Sequence, residues 1–403
     1  MTVAVIGGGI VGRSIALSLA RRGEGVTLVD AATDRSAASW GNAGHIATDQ
    51  VAPLASPAML RSAPRRLFAR GGALDLPLRQ LPAWLPFAVR SIAASTPARF
   101  AAGSTALGAL LADAMPAWRR LATALKTPTL LREDGHYVTW PTQTLAAAGR
   151  AAWSAADTGT ARYVDADEHQ LDQLRAMSPR IADAIRFDGT GQIADLGALA
   201  TALDHALAAA RVTVVQQPAT LERHSDRMAI SGIAADRIVI AAGIGSRSLM
   251  AAAGHRVPLI AERGYHIRGS AERWPADLPP LVFEDRSIIV TRYADSVQVA
   301  GFVEFAHACA PPDPRKWQRL ERHVVELALP IAGPFRRWTG ARPTLPDYLP
   351  AIGRSTRAAN LFYAFGHQHL GLTLAPVTGE LVAALITGDA PVIDLAPFAV
   401  DRF

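Results

Sequence analysis

The chain opens with Val3-Ala-Val-Ile-Gly7-Gly-Gly9-Ile-Val-Gly12, and Val26-Thr-Leu-Val-Asp30 follows after a segment with apolar residues at helical spacing. This order predicts a strand, a glycine turn, a helix and a second strand. Gly7 permits the turn, Gly9 lets the backbone approach a pyrophosphate, and Gly12 lets the helix pack closely on the strand. The helix N-terminus then binds the anion, and Asp30 is placed to accept a ribose hydroxyl. The stretch therefore predicts a dinucleotide-binding unit.

Length and composition indicate a large folded protein. The chain has 403 residues, of which 50% are hydrophobic and 19% charged, so it can bury a large core and is not a disordered chain. Its single cysteine, Cys309, cannot form an internal disulfide, which favours a reducing compartment. The N-terminus lacks the basic leader of a signal peptide, and uncharged apolar runs stay below the roughly eighteen residues of a membrane-spanning helix. We therefore expect a cytoplasmic protein.

The net charge of +6 is concentrated between residues 51 and 100, where seven arginines accompany one acidic residue, Asp75. The same stretch carries leucines, Trp84 and Phe87 among many prolines. Basic and apolar residues with interfacial aromatics are typical of a patch that contacts a membrane surface. The alternative is a solvated, arginine-rich segment whose apolar residues pack inward. The chain has no nucleic-acid-binding motif, so we do not expect nucleic acid as a partner.

Three further segments suit a backbone that passes close to a flat ligand. Residues 36–48 are mostly small, with two glycines and an asparagine. Residues 236–245 predict a buried parallel strand ending in Ala-Ala-Gly243, so a cofactor can lie across its carboxyl end. Residues 366–371 predict a glycine-rich loop before a helix from Thr373 to Ile386, whose dipole can stabilise negative charge. An ordinary core strand and ordinary tight turns remain alternatives for the last two segments.

The middle of the chain predicts a different kind of sheet. Successive strand patterns at 259–268, 281–283, 287–293 and 297–303 favour an antiparallel sheet over further βαβ units. We therefore expect an α/β protein in which a Rossmann-like nucleotide-binding domain is joined to a second, α+β substrate domain. The predicted nucleotide-binding segments are 1–50, 190–250 and 335–403. The predicted substrate domain comprises 51–189, with its basic apolar segment 51–100, and 251–334.

Together with Trp338-Thr-Gly-Ala-Arg342-Pro and Gly366-His-Gln-His-Leu-Gly-Leu-Thr, these features resemble the FAD-dependent D-amino-acid oxidase and dehydrogenase family. The chain is most similar to the bacterial D-amino-acid dehydrogenase branch, including enzymes acting on D-proline or cis-4-hydroxy-D-proline. The resemblance implies FAD extended across a Rossmann-like domain of the GR2 type. It also implies that Arg342 holds the substrate carboxylate, which a guanidinium can pair with two parallel hydrogen bonds.

The implied reaction is oxidation of a Cα–N bond by hydride transfer to the flavin, which gives an imine or, after hydrolysis, a 2-oxo acid. Gly41 stands where related methylamine dehydrogenases attach flavin to a histidine, so we expect non-covalent FAD; His45 is a weak substitute. His369 stands where the dehydrogenase branch would carry a small residue, and it either shapes the substrate pocket or is an ordinary loop histidine.

The candidate residues fall into two groups, and we expect no metal site. Candidates for contact with the substrate are Arg342, Tyr265, His266, Tyr348 and His369. Candidates for contact with the cofactor are Gly7, Gly9, Ile10, Val11, Gly12, Asp30, Ala31, Trp40, Gly41, Asn42, Ala43, Gly44, His45, Ile46, Ala242, Gly243, Gly366, His367, His369, Leu370, Gly371, Leu372 and Thr373. Among these, the backbone amides of Leu370, Gly371 and Leu372 are candidates for holding the flavin O2 region.

The electron acceptor is left open by the sequence. The basic apolar segment 51–100 favours a dehydrogenase that passes electrons to a quinone at the inner face of a membrane. An oxygen-using amine, glycine or sarcosine-type oxidase that forms hydrogen peroxide is the alternative. An FAD enzyme of the same fold acting on an unrelated substrate is a further one, because a fold does not determine a function.

Overall fold

The predicted strand, glycine turn, helix and strand are present in the computed structural model, which describes residues 1–32 and 34–403. The strands of the described residues, in chain order, are β1 (Thr2–Ile6), β2 (Gly25–Asp30), β3 (His45–Ile46), β4 (Leu74–Asp75), β5 (Leu131–Arg132), β6 (His136–Trp140), β7 (Arg162–Asp165), β8 (Asp183–Asp188), β9 (Gly191–Ile193), β10 (Thr213–Gln216), β11 (Leu221–His224), β12 (Arg227–Ile230), β13 (Arg237–Ile240), β14 (Ile260–Ser270), β15 (Leu281–Phe283), β16 (Ile288–Arg292), β17 (Ser296–Ala306), β18 (Arg336–Thr344), β19 (Ala351–Arg354) and β20 (Leu361–Phe365).

The α-helices of the same residues are α1 (Ile10–Arg21), α2 (Pro57–Arg66), α3 (Leu81–Ala94), α4 (Pro97–Ala112), α5 (Ala114–Ala124), α6 (Gln143–Ala155), α7 (Glu168–Met177), α8 (Leu196–Ala209), α9 (Ser246–Ala252), α10 (Pro314–Glu326) and α11 (Gly371–Thr387).

A six-stranded sheet forms the nucleotide-binding side of the molecule. Its strand order is β10-β2-β1-β13-β20-β19, and all neighbours are parallel except β19 and β20. The apolar residues of β1 and β13 are buried, as expected for parallel strands covered on both faces. The carboxyl ends of β1, β2 and β13 therefore lie along one edge, where open α/β sheets bind ligands. This arrangement confirms the predicted Rossmann-like sheet.

The second main sheet has nine strands in the order β18-β14-β17-β16-β15-β6-β8-β7, with β4 paired beside β17. Most neighbours are antiparallel, and the parallel pairs are β6 with β15 and β4 with β17. The strands predicted between residues 259 and 303 are β14 to β17 of this sheet, so the prediction of an antiparallel sheet is confirmed.

The division of the chain into two domains stays a prediction, and two of its bounds need correction. β18, which we assigned to the nucleotide-binding segment 335–403, pairs with β14 in the nine-stranded sheet. Helices α4 and α5, which we assigned to the substrate domain, pack against α11. The indole Nε1 of Trp118 on α5 donates to the carbonyl oxygen of Leu372 at 3.1 Å, which ties the two helices together.

Helix α11 is the central helix of the nucleotide-binding side. It crosses α1 so closely that a Cβ at Gly379 would lie 2.8 Å from the carbonyl oxygen of Ser14. The segment Gln368–Thr387 is long and apolar enough to span a membrane, with a mean hydropathy of 1.6, but 78% of it is buried inside the protein. Its apolar composition is therefore explained by its place in the core.

Candidate active site

A cavity of about 1000 Å³ lies between the two main sheets and is lined by residues of both. Most of the predicted residues line it: Gly7, Gly9, Ile10, Val11, Asp30, Ala31, Gly41, Asn42, Ala43, His45, Ala242, Gly243, Tyr265, His266, Arg342, Tyr348, His367, His369, Gly371, Leu372 and Thr373. Six other predicted residues are not among the lining residues: Gly12, Trp40, Gly44, Ile46, Gly366 and Leu370. Ile46, for example, is a fully buried core residue of β3.

The glycine loop shows which glycines the protein itself requires. Gly7 has φ +117°, and a Cβ there would collide with the carbonyl oxygen of Ala241. A Cβ at Gly12 would collide with the carbonyl oxygen of Gly7, so Gly12 serves the packing of α1 on β1. At Gly9 a Cβ would meet only Ser39 Oγ at 3.3 Å and Ala37 Cβ at 3.9 Å. Gly9 therefore leaves space on the cavity side of the N-terminus of α1.

Asp30 ends β2 beside this loop, and its Oδ1 accepts from the backbone N–H of Ala32 at 3.3 Å. A Cβ at Gly8 would collide with the Asp30 carboxylate. Gly8 was not among the predicted residues, although it is the glycine that gives Asp30 room at the cavity. The pattern that assigns roles to the first, third and sixth glycine positions does not indicate it.

His266 holds the loop that contains Gly41. Its Nδ1 donates to the carbonyl oxygen of Gly41 at 3.0 Å, and its ring stacks on Trp338 with centroids 4.8 Å apart. Burial, with nearby Arg268, lowers the pKa of His266 to about 3, so the ring is neutral near pH 7 and carries its proton on Nδ1. A Cβ at Gly41 would collide with the Trp338 indole. His266 and Trp338 thus fix the position of a loop predicted to contact the cofactor.

The loop before α11 differs in one detail from the prediction. The backbone N–H of Leu370 donates to the carbonyl oxygen of His367 at 2.9 Å, so this amide is already used. Gly371 and Leu372, at the start of α11, line the cavity and remain candidates for the flavin O2 region. Thr373 Oγ1 accepts from the backbone N–H of Ala47 at 3.2 Å, which ties α11 to the loop at residues 38–47.

Arg342 lies in the cavity wall, opposite Glu262 in the antiparallel pair of β18 and β14. Its Nη1 is 3.2 Å from Glu262 Oε1, and Thr344 Oγ1 donates to Glu262 Oε2 at 3.2 Å. A Cβ at Gly264 would collide with the guanidinium, so the side chain of Arg342 lies over this glycine. The Arg342 side chain is 27% exposed and that of Glu262 only 1%. The buried carboxylate of Glu262 thus holds the partly exposed guanidinium of Arg342 at the cavity wall.

Tyr348 and His369 lie near this ion pair. Burial, with the charge of Glu262, raises the pKa of Tyr348 well above its usual value, so its hydroxyl stays protonated. Burial and the charge of Arg342 lower the pKa of His369. Its Nε2 donates to Gln50 Oε1 at 2.7 Å. Gln50 also lines the cavity and was missed because nothing in the local sequence pairs it with a residue more than three hundred positions away.

Tyr265 lines the cavity, but its side chain makes its contacts on the other face of β14, and its role toward the substrate stays a prediction. Its hydroxyl donates to Glu304 Oε2 at 3.1 Å and accepts from the backbone N–H of Asp313 at 3.1 Å. Its ring packs edge-on against Trp317 of α10, which covers this face of β14. Because side chains alternate along a strand, Tyr265 shares a face with Arg263, whereas His266 lies on the other face. The hydroxyl is therefore not available to a ligand in the cavity.

A buried polar cluster also borders the cavity. His45 and His136 pack edge to face at 4.6 Å, and His45 Nε2 is 4.0 Å from Asp49 Oδ1. Burial lowers the pKa of both histidines to about 3 and raises the pKa of Asp49. Among the described residues His45 Nδ1 and Asp49 Oδ1 have no hydrogen-bond partner. The ligand atoms of the three residues lie within 4.8 Å of one another, so the cluster could bind a cation or satisfy polar atoms of a cofactor.

The cavity reaches the surface beside α3. Ile92 lines it and is 57% exposed. Exposed apolar side chains recur here at helical spacing, and we call them the α3 stripe: Leu78, Leu81, Leu85, Val89 and Ile92. All seven arginines of residues 51–100 are exposed as well. The alternative prediction is that the apolar residues of this segment pack inward. Phe68 and Phe87 are indeed buried, whereas the residues of the α3 stripe are exposed.

The family model DAO, which describes FAD-dependent oxidoreductases, matches residues 2–385. The chain belongs to the DAO family of FAD-dependent oxidoreductases. A D-amino-acid oxidase of Bradyrhizobium diazoefficiens is 32% identical over 100% of this chain and 98% of that protein. A D-amino acid dehydrogenase of Cereibacter sphaeroides is 29% identical over 100% of this chain and 95% of that protein.

Two solved structures show the same fold. Glycine oxidase from Geobacillus kaustophilus superimposes with a TM-score of 0.75 at 21% identity, covering 100% of this chain and 98% of that one. Iminodiacetate oxidase from Chelativorans sp. BNC1 gives a TM-score of 0.72 at 20% identity, covering 98% of each chain.

FAD is the cofactor of the DAO family, and the cavity fits it. The glycine turn leaves the cavity side of Gly9 open toward the N-terminus of α1, where the backbone N–H of Ile10 donates to Ser39 Oγ at 3.2 Å. A pyrophosphate would take the place of Ser39 as the acceptor there. The unpartnered polar atoms of His45 and Asp49, within the described residues, are suited to a polar ligand. Gly41 has no side chain for covalent attachment, and Cys309 is exposed. Non-covalent binding stays a prediction.

Proposed function

We propose that the chain oxidises the Cα–N bond of a D-amino acid or cyclic D-imino acid. The observation that carries this proposal is Arg342, whose guanidinium lines the same cavity as the glycine loop. Relatives named D-amino-acid oxidase and D-amino acid dehydrogenase, aligned over the whole chain, support it.

Arg342 binds the substrate carboxylate and thereby fixes the α-carbon. FAD, when bound, supplies a two-electron acceptor for the hydride of the α-carbon. His266 contributes by holding the Gly41 loop. Because its pKa is raised, Tyr348 stays protonated, and its hydroxyl serves as a hydrogen-bond donor to Glu262. The substrate nitrogen first releases one proton to water, and loss of the hydride from the neutral amine then gives a protonated imine. This product hydrolyses to a 2-oxo acid and ammonium, or remains a cyclic imine when the substrate is proline-like.

The role of Arg342 is tested by Arg342→Ala. We expect the KM for the substrate to rise about 100-fold, since a charge-assisted pair with the carboxylate is lost. FAD content, measured by absorbance, should stay unchanged. Arg337→Ala is the matched control, because Arg337 lies on the same strand and pairs at the surface with Glu321. An Arg342→Ala enzyme with the wild-type KM would contradict the assignment.

For the electron acceptor we propose a quinone. The α3 stripe ends at Ile92, which lines the cavity, and the exposed arginines of residues 51–100 are complementary to anionic lipid headgroups. An apolar acceptor could thus enter the cavity from the membrane surface. The enzyme would be a peripheral protein at the inner face of the cytoplasmic membrane. The oxidase alternative is favoured by the name of the 32% identical relative.

A further inference from the structure

Glu262 is a buried carboxylate in the wall of the cavity that the proposed reaction does not yet use. Its side chain is 1% exposed, and it lies between Arg342, Thr344 and Tyr348. We infer that Glu262 binds the ammonium group of the substrate, so that Glu262 and Arg342 together recognise a zwitterion. This inference rests on the proposed function, because it assigns the second polar group of the same substrate.

The hydrogen bonds of the pair leave room for a ligand. The contact at 3.2 Å between Arg342 Nη1 and Glu262 Oε1 uses one of the five N–H donors of the guanidinium. Each Glu262 oxygen can accept two hydrogen bonds. One oxygen accepts from Arg342 and the other from Thr344, and the protonated Tyr348 hydroxyl is a third donor to the same carboxylate, which leaves one acceptor position. Arg342 can therefore bind a carboxylate while Glu262 accepts from an ammonium.

The charges of the pair determine which ligands match it. Burial of the ligand's ammonium group is costly without an anionic partner, and Glu262 supplies that partner next to the cavity. The pair has no net charge, which corresponds to a zwitterion with one carboxylate and one ammonium group. A carboxylate without an amine would satisfy Arg342 but would leave Glu262 facing a ligand of its own charge. The pair therefore selects amino acids over 2-hydroxy acids and favours release of an anionic 2-oxo acid.

A simpler role is also consistent with the contacts, namely that Glu262 only holds Arg342 in position. The two roles differ in their effect on ligands that lack an amine. If Glu262 only positions Arg342, its loss should weaken every carboxylate to a similar degree. If Glu262 binds the ammonium group, its loss should weaken the binding of amino acids and should remove the repulsion of carboxylates that lack an amine.

The experiment compares two ligands on wild type, Glu262→Gln and Glu262→Asp, each loaded with FAD. One ligand is the amino acid that bleaches the wild-type flavin most readily. The other is its analogue with oxygen in place of the amine nitrogen, for example D-proline and (R)-tetrahydrofuran-2-carboxylate. Binding of the analogue is read from the shift of the flavin absorption spectrum, and binding of the amino acid from the half-saturation of anaerobic bleaching.

We expect Glu262→Gln to weaken the binding of the amino acid at least tenfold. The same variant should bind the analogue as tightly as wild type or more tightly. Glu262→Asp should keep the preference for the amino acid, because it keeps the charge. Glu321→Gln, on the surface of α10, is the control for loss of a carboxylate. Equal weakening of both ligands, or no change in either, would overturn the role of Glu262. If no amino acid bleaches wild type, the proposed function fails instead, and analogue binding still reports the charge effect.

Discussion

Individual glycines around the cavity separate what the fold requires from what a ligand requires. At Gly12 and Gly41 a Cβ would collide with a backbone carbonyl and with the Trp338 indole, so the structure explains both glycines without a ligand. Gly9 is different, because its backbone is extended with φ −70° and a Cβ would meet Ser39 Oγ no closer than 3.3 Å. A Cβ at Gly9 would thus require only a small shift of the Ser39 side chain. We propose that the pyrophosphate of FAD is the reason that no side chain stands there.

Gly9→Val should accordingly fold but lose FAD. Its thermal unfolding without added cofactor should match that of wild-type apoprotein, whereas flavin absorbance per protein should fall at least tenfold, since the side chain fills the pyrophosphate position. Gly12→Ala is the contrasting variant, because its Cβ would collide with the carbonyl oxygen of Gly7 and should destabilise the apoprotein itself. A fully loaded Gly9→Val protein would contradict the dinucleotide-loop assignment.

Single elements were predictable where a local pattern determines them. The β1–α1–β2 unit follows from apolar periodicity and three glycines, and it was predicted correctly. On β14 the sequence indicated Tyr265 and His266 together, although neighbouring side chains on a strand point to opposite faces. Because side chains alternate along the strand, Glu262 rather than Tyr265 lies on the same face as His266. Its pairing with Arg342 depends on the register between β14 and β18, eighty residues apart, which no local pattern contains.

The element-scale prediction concerns α3. Leu78→Ser/Leu85→Ser/Val89→Ser should reduce binding to anionic lipid vesicles at least tenfold, because it removes exposed apolar area next to the arginines. Quinone reduction in those vesicles should fall in parallel, while reduction of a water-soluble artificial acceptor should not change. Val164→Ser/Val214→Ser, which replaces exposed valines elsewhere, is the matched control.

Two results would contradict the acceptor proposal. Undiminished vesicle binding and quinone reduction by the triple variant would remove the role of the α3 stripe. Oxygen consumption by wild type equal to substrate loss would instead support the oxidase alternative.

At the scale of the whole molecule, two sheets enclose one cavity. The fold class could be predicted because glycine loops and strand patterns mark both sheets. Arg342 was proposed through the family resemblance, and its role stays a prediction. The domain bounds could not, because α4 and α5 belong with α11 through tertiary contacts such as Trp118 to Leu372. His136, Asp49 and Gln50 were missed for the same reason, since each reaches the cavity only through the fold.

The central claim is that an amino or imino acid bound at Arg342 reduces FAD in this cavity. The most direct test is anaerobic titration of the purified protein with D- and L-amino acids, D-proline, cis-4-hydroxy-D-proline, sarcosine and glycine, monitored at the flavin absorption band at about 450 nm. We predict that a D-amino or D-imino acid bleaches the band. A yellow protein that none of these compounds bleaches would keep the fold and the cofactor but contradict the proposed reaction.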